Sequence, residues 1–311
     1  MNVGVFLNYI GLGSNILHLS YCHEIAKRYG PITIITLCKN LDQALGDDPN
    51  IKEVIIIKKN KKITDIIDIS SSLKKIQLDK IFIFYPSPRL YIAAKLAGIK
   101  KIYNYPLFKK KNLHLVNAAN KFTCESLNIN SCPTETKFFV NDDKINKAKK
   151  HFSEDHYNIV IGAGSSGPDT RWGGANFISL INKLNENGNY YFYIQCGPEQ
   201  NEISKNIIDK IKKKNCMDLS KMNISEIIPI LYLCDLYVGN DSFSHHITSQ
   251  CNKPSIVLLL NSPKAYSDYS KNHHRIIPEN AKLEELDHSS NYKANSISIE
   301  KVYNKIIELK N

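Results

Sequence analysis

Paired cysteines are absent. Cys22, Cys38, Cys124, Cys132, Cys196, Cys216, Cys234 and Cys251 include no Cys-x-x-Cys pair and no His/Cys cluster with zinc spacing. Several lie in apolar runs, where cysteine acts as a small hydrophobe, so the usage is that of a reducing cytosol. Long apolar runs are also missing. The longest, residues 227–238, is interrupted by Pro229 and Asp235 and is too short to span a bilayer. The first residues, Met1-Asn2-Val3-Gly4-Val5-Phe6-Leu7, carry no basic n-region, so no signal peptide is expected and the location read from the chain is cytoplasmic. Acidic residues are in deficit, 30 against 41 lysines and arginines, and the net charge of +11 favours acidic partners such as nucleotides, phosphorylated sugars or anionic head groups. Lys, Asn and Ile are abundant throughout, which explains much of that charge without a function.

What is present is an alternation. Short apolar runs at 3–7, 32–37, 54–57, 81–85, 159–162, 191–196, 236–239 and 255–260 read as strands. Amphipathic segments at 15–29, 63–75, 90–97, 113–127, 175–187, 202–214, 224–233, 243–250 and 299–309 read as helices. Such alternation predicts α/β architecture with parallel sheets and right-handed crossovers. It pauses over residues 133–157, a polar stretch with one short strand candidate at 137–140, read as a linker plus a helix. The expected organisation is one Rossmann-like domain over 1–145, a second over 146–290, and a final helix within 291–311 that packs back on the first. The lysine runs at 58–62, 109–111 and 212–214 fall at element ends and read as solvated surface; an alternative makes the first two a patch meeting anionic membrane. No aromatic residues interleave with the basic ones, which excludes a nucleic-acid-binding pattern.

Three loops carry chemistry. Asn8-Tyr9-Ile10-Gly11-Leu12-Gly13-Ser14-Asn15 follows the first strand, but the third glycine of a dinucleotide fingerprint is missing, which argues against a dehydrogenase. Gly162-Ala163-Gly164-Ser165-Ser166-Gly167-Pro168-Asp169-Thr170-Arg171-Trp172 opens the second half. Its hydroxyls, small residues and one cation suit phosphate oxygens, while Trp172, the only tryptophan, reads as a packing anchor. Gly239-Asn240-Asp241-Ser242-Phe243-Ser244-His245-His246 joins a strand's carboxyl end to a helix start. Ligands bind at that end of a parallel sheet, and free N–H groups there favour a diphosphate. Asp241 is either a helix cap or a partner for sugar hydroxyls. Adjacent histidines on a helix point apart, so no metal is expected from the His245-His246 pair.

Asp241-Ser242-x-x-x-His246 together with the upstream Arg171-Trp172 loop resembles the heptosyltransferases of lipopolysaccharide synthesis, glycosyltransferase family nine. Asp48-Pro49-Asn50-Ile51, Ser87-Pro88-Arg89, Lys95-Leu96-Ala97-Gly98-Ile99 and Gln195-Cys196-Gly197-Pro198-Glu199 are similar to further segments of that family, so the resemblance spans nearly the whole chain. It implies two facing Rossmann-like domains of the GT-B type and metal-independent transfer with inversion, in keeping with the lack of any Asp-x-Asp motif. No cofactor is implied; the donor is a nucleotide sugar of the ADP-heptose kind. The implied acceptor is a lipid-linked glycan or the lipopolysaccharide core, reached at the inner face of the cytoplasmic membrane.

Carried over by position, Ser165, Ser166, Thr170, Arg171, Glu199, Asp241, Ser242, Phe243, Ser244 and His246 would bind donor. Gly13, Ser14 and Arg89 would face the acceptor. Asp241 and Arg171 would serve catalysis. Three positions depart from the family: Ser14 stands where it has its aspartate base, Thr170 where it has a lysine, and Phe243 where it has a glycine. His18, one turn after Ser14, is the candidate replacement base. The departures also motivate an alternative, a nucleotide-sugar-binding protein that keeps the fold and has lost turnover; a protein O-glycosyltransferase is a further alternative.

Overall fold

Strand β1 (Val3–Leu7) is buried along its whole length, as an apolar run in the middle of a doubly covered sheet must be. In the computed structural model, which describes residues 1–58, 65–105 and 114–311, β1 is followed by α1 (Leu12–Ile16), α2 (Leu19–Tyr29), β2 (Ile32–Thr36), α3 (Leu41–Leu45) and β3 (Ile51–Ile56). Then come α4 (Asp65–Ile76), β4 (Lys80–Ile83), α5 (Pro88–Leu96), β5 (Lys101–Asn104) and α6 (Leu115–Leu127). Among the described residues these strands form one parallel sheet in the order β3-β2-β1-β4-β5. The expected helix over 15–29 is two helices. His18 donates its backbone N–H to the Asn15 carbonyl, a three-residue step that breaks the four-residue ladder between α1 and α2. α2 ends at Gly30, whose φ of +85° favours a residue without Cβ.

The second unit comprises α7 (Asp142–Lys149), β6 (Tyr157–Gly162), α8 (Gly174–Glu186), β7 (Tyr190–Gln195), α9 (Asn201–Lys210) and β8 (Cys216–Asp218). It continues with α10 (Ile224–Leu233), β9 (Leu236–Asn240), α11 (Phe243–Gln250), β10 (Ser255–Leu258), β11 (His273–Ile276) and α12 (Ile299–Lys310). Its parallel sheet runs β11-β10-β9-β6-β7-β8.

The units divide between Phe139 and Val140, which places α7 wholly in the second. Residues 137–140, expected as a strand, join neither sheet. Side chains hold the residues just before them: Ser20 Oγ donates to the Pro133 carbonyl at 2.7 Å, and His23 bridges Thr136 Oγ1 (2.7 Å) and Asp48 (2.6 Å). The final helix, expected against the first unit, contributes Val302 and Ile306 to the core of the second, and α12 lies on α8. Of the lysine runs, Lys212, Lys213 and Lys214 are exposed, while 59–62 and 109–111 lie outside the described residues. No helix of the described residues is long and apolar enough to cross a membrane.

Trp172 is fully buried in the second core, its ring edge-on to Phe177 at 5.0 Å. Its indole N–H donates to the Ile297 carbonyl at 2.9 Å, which satisfies the polar end of an otherwise apolar side chain. The same residue anchors the loop that follows β6.

Candidate functional site

Gly162 at the end of β6 pairs in register with Gln195 of β7 and Gly239 of β9, so three parallel strands end at one level. The loops leaving them carry the residues singled out above. The two glycines are needed because the backbones crowd. A Cβ on Gly162 would lie 1.8 Å from the Tyr237 hydroxyl and 2.4 Å from its ring carbon Cζ, and a Cβ on Gly239 would lie 2.5 Å from the Gly162 backbone. Tyr237 is buried and fixed from below, its hydroxyl donating to the Asn240 carbonyl (2.8 Å) and sharing a bond with Ser242 Oγ (3.0 Å). Gly162→Ala must displace that ring from a fully buried position, so a loss of about 2–4 kcal/mol is expected from overpacking and broken hydrogen bonds. Tyr237→Phe should not rescue it, since the ring carbons clash as well as the hydroxyl. Urea midpoints of the single and double variants check this; wild-type stability of Gly162→Ala would refute it.

The loop after β6 is shaped by its own polar groups. Ser165 Oγ donates to the Gly167 carbonyl (2.7 Å) and lies 2.7 Å from Thr170 Oγ1, which also bonds Gly167 (2.8 Å). Ser165 and Thr170, expected on the donor, therefore spend their hydroxyls inside the loop; Ser166 is exposed. The Ser165 carbonyl accepts from Arg171 Nη2 (3.1 Å) and Gln200 Nε2 (2.8 Å). Arg171 Nε and Gln200 Oε1 are buried without a hydrogen-bond partner, which leaves unspent donor and acceptor capacity at the loop.

Asn240, fully buried, stitches this loop to the β9 end. Its Oδ1 accepts from the Trp172 N–H (2.8 Å) and its Nδ2 donates to the Ala163 carbonyl (2.8 Å). Asn261, beyond β10, donates to the Asp169 and Tyr292 carbonyls. Glu199 is exposed on the short turn Pro198–Gln200 after β7.

α11 begins at Ser242, whose side chain does not cap it. Asp241 is not the cap residue. Its carboxylate, on a side chain 14% exposed, takes His245 Nε2 at 2.9 Å and has His246 Nε2 at 3.9 Å. Burial raises the Asp241 pKa, an effect opposed chiefly by the neighbouring His246. Phe243 is half-buried, and Ser244 Oγ is buried without a hydrogen-bond partner.

His246 bonds the Tyr269 hydroxyl and stacks on its ring. His245 Nδ1 lies 3.3 Å from His273 Nε2. The two adjacent histidines, expected to point apart, thus share one buried cluster with His273, and candidate ligand atoms of the three lie within 4.8 Å of one another. The His245 and His246 rings, however, lie 3.8 Å apart at 36°, side by side, and their nitrogens engage Asp241, His273 and Tyr269. In this arrangement the nitrogens form a hydrogen-bonded chain.

In the first unit, Gly13 and Ser14 sit on α1, half-buried, and Asn15 ties their loop down with bonds to the Tyr9 (3.1 Å) and Gly11 (2.7 Å) carbonyls. Arg89 is exposed at the start of α5, beside a cavity of about 30 Å³ that Asn8, Asp65 and Ser87 also line. His18, the candidate base, is fully buried. It stacks on Tyr9 at 4.8 Å, accepts an edge contact from Phe84, and places Nδ1 2.6 Å from the Ser14 carbonyl. Burial lowers its pKa to about 4, with the Ser14 bond opposing. A ring in that position reaches no acceptor hydroxyl, and His18 reads as a core residue. His18→Gln should leave turnover per folded molecule within about twofold of wild type, whereas loss of a general base costs about 10²–10⁴; a fall of that size in a single-turnover assay would restore His18 to the chemistry.

His273 and Tyr237 were not singled out from sequence, and Asn240 and His245, though inside the Gly239-to-His246 motif, were given no place on donor or acceptor. The strand-end position of Asn240 was a usable signal. His273 was not identifiable, because only the β10–β11 pairing brings it to α11.

The profile of glycosyltransferase family 9 (heptosyltransferase) matches residues 94–294. Comparison with curated proteins by sequence found no match. Among solved structures, the chain is similar to the ADP-heptose lipopolysaccharide heptosyltransferase II of E. coli (TM-score 0.77, 15% identity, 99% of this chain and 98% of that one). It is similar to a family 9 glycosyl transferase from Veillonella parvula (0.79, 18%, 99% and 96%). It is also similar to E. coli heptosyltransferase WaaC determined with ADP (0.74, 14%, 99% and 100%). With two parallel α/β units, a fold shared with these enzymes over its length, and a family profile covering well over half of its residues, this chain belongs to glycosyltransferase family 9 and is a glycosyltransferase.

Proposed function

We propose that the chain transfers a heptose or related sugar from a nucleotide diphosphate donor of the ADP-heptose kind to a cell-envelope glycan acceptor, with inversion and without a metal ion. One observation carries the reading. In the second unit, the carboxyl ends of β6, β7 and β9 end together, and the loops there offer the half-buried Arg171 and the start of α11. A fixed cation and a helix start are what a diphosphate leaving group requires, since charge grows on its oxygens as the glycosidic bond breaks. Asp241 then binds sugar hydroxyls, and Glu199, exposed on the turn after β7, takes the ribose hydroxyls. The family resemblance supports the acceptor-side roles of Gly13, Ser14 and Arg89 and an action at the cytoplasmic membrane face. The structures of E. coli WaaC with ADP and with ADP-2-deoxy-2-fluoro heptose favour adenosine in the donor.

Ser14 and Thr170 favour a second reading, a donor-binding protein without turnover, because neither side chain supplies the base or cation that the family places there. Incubation with a panel of nucleotide sugars and envelope glycan acceptors, followed by mass spectrometry, separates the two. Release of nucleotide diphosphate with a glycosylated product is expected; tight donor binding with no consumption would replace the first reading by the second.

A further inference from the structure

We propose that His245 and His273 are positioning residues that aim the Asp241 carboxylate at the donor sugar; the inference rests on the reading of Asp241 as the partner of sugar hydroxyls. His245 is fully buried and contacts Asp241 Oδ1 through Nε2 at 2.9 Å. His273, the first residue of edge strand β11, stands behind it with Nε2 3.3 Å from His245 Nδ1. The carboxylate side chain is 14% exposed, His245 is fully enclosed and His273 is 9% exposed.

The tautomers follow from this arrangement. A carboxylate oxygen at 2.9 Å requires a donor, so His245 carries its proton on Nε2. Its Nδ1 is then an acceptor, which requires the His273 proton on Nε2. That leaves His273 Nδ1 as a bare lone pair, and this atom is buried with no hydrogen-bond partner. Both rings are thereby neutral, with their donors directed toward Asp241. A single chain of two hydrogen bonds runs from an edge strand to the carboxylate, and no ring in it is exposed enough to touch a ligand. His246 lies on the other side, held by Tyr269, with its Nε2 3.9 Å from Asp241. A carboxylate preceding a helix has several rotamers open to it; the strut selects one. Partners that orient a functional carboxylate from behind are worth much of what the carboxylate itself contributes.

The test compares the affinities of ADP and ADP-heptose by calorimetry in wild type, Asp241→Ala, His245→Leu, His245→Gln and His273→Leu. Wild type is expected to bind ADP-heptose more tightly than ADP. Asp241→Ala should erase that preference, and His245→Leu and His273→Leu should cut it by about tenfold with ADP affinity unchanged. His245→Gln, whose amide nitrogen can donate from about the same place, should retain it. Equal preference in wild type and Asp241→Ala would remove the underlying reading of Asp241. A preference lost in Asp241→Ala but kept in both leucine variants would overturn the strut alone. So would a parallel loss of ADP affinity, the mark of a general structural defect, or stoichiometric Zn²⁺ binding by wild type that His273→Leu abolishes. If His245→Leu does not fold, His273→Leu against His245→Gln carries the same comparison.

Discussion

Arg171→Ala should lower kcat/KM for the nucleotide-sugar donor by about 10²–10³, the scale of losing one preorganised charge-stabilising group at a developing anion. The guanidinium is fixed before any ligand arrives. Its Nη2 is held by the Ser165 carbonyl at 3.1 Å, that carbonyl is held also by Gln200, and the next residue, Trp172, is locked into the core. A cation so restrained loses little entropy when a diphosphate binds, and its buried Nε has bonding capacity to spare. With Thr170 in place of the family's lysine, this loop has no second cation to share the task. Arg171→Lys should recover little, because a point charge on a flexible stem does not reproduce the planar fork. Released nucleotide measured at subsaturating donor gives the ratio directly, and near-identical urea midpoints for variant and wild type would show that the loss is chemical. Activity of Arg171→Ala within a few-fold of wild type would mean that the diphosphate is stabilised elsewhere.

The second large effect is acid lability. Burial lowers the pKa of His18 to about 4 and of His245 to about 3, and pushes that of His273 well below 6.5, with the neighbouring His245 and Arg275 adding to the last. In the unfolded chain all three return to near 6.5. Above that pH both states hold the rings neutral and nothing is gained or lost. As pH falls below it the unfolded chain takes up protons that the folded chain refuses, so stability falls, by up to about 1.4 kcal/mol per pH unit for each ring. The raised pKa of Asp241 acts the other way, since the folded carboxyl takes its proton before the unfolded one does, but it is one group against these three and His274, which burial also lowers. Urea midpoints should hold steady between about pH 8 and 7 and decline steeply toward pH 5. His18→Gln should flatten the decline by one proton's worth. A flat profile down to pH 5 would mean that these rings are solvated in the folded protein.

Much of the fold was legible because the central strands are apolar throughout. β1, β6 and β9 were found at nearly their observed limits. The strands that sequence reasoning missed, β5, β8 and β11, are all sheet edges. Edge strands are short and partly solvated, so Lys101-Ile102-Tyr103-Asn104 or Cys216-Met217-Asp218 carries no apolar run to betray it. The strand-end loops were legible where a motif lies within one of them, as with those that carry Arg171 and Asp241. How each hydroxyl or ring is used within them was not. Nothing local announces that Ser165 and Thr170 turn their hydroxyls onto the Gly167 carbonyl, that His18 is enclosed by Tyr9 and Phe84, or that His273 meets α11 from a strand two crossings away.

The place of α12 in the second core bears on the order in which the protein can mature. A nascent chain has every strand of the first sheet in hand once β5 emerges, and none of them comes from the later half. The second half has no such early completion point. The Trp172 indole finds its acceptor only when Ile297 leaves the ribosome, and Val302 and Ile306 follow later still. The loop that presents Arg171 is therefore among the last parts to set during synthesis, after every strand of the first sheet has emerged.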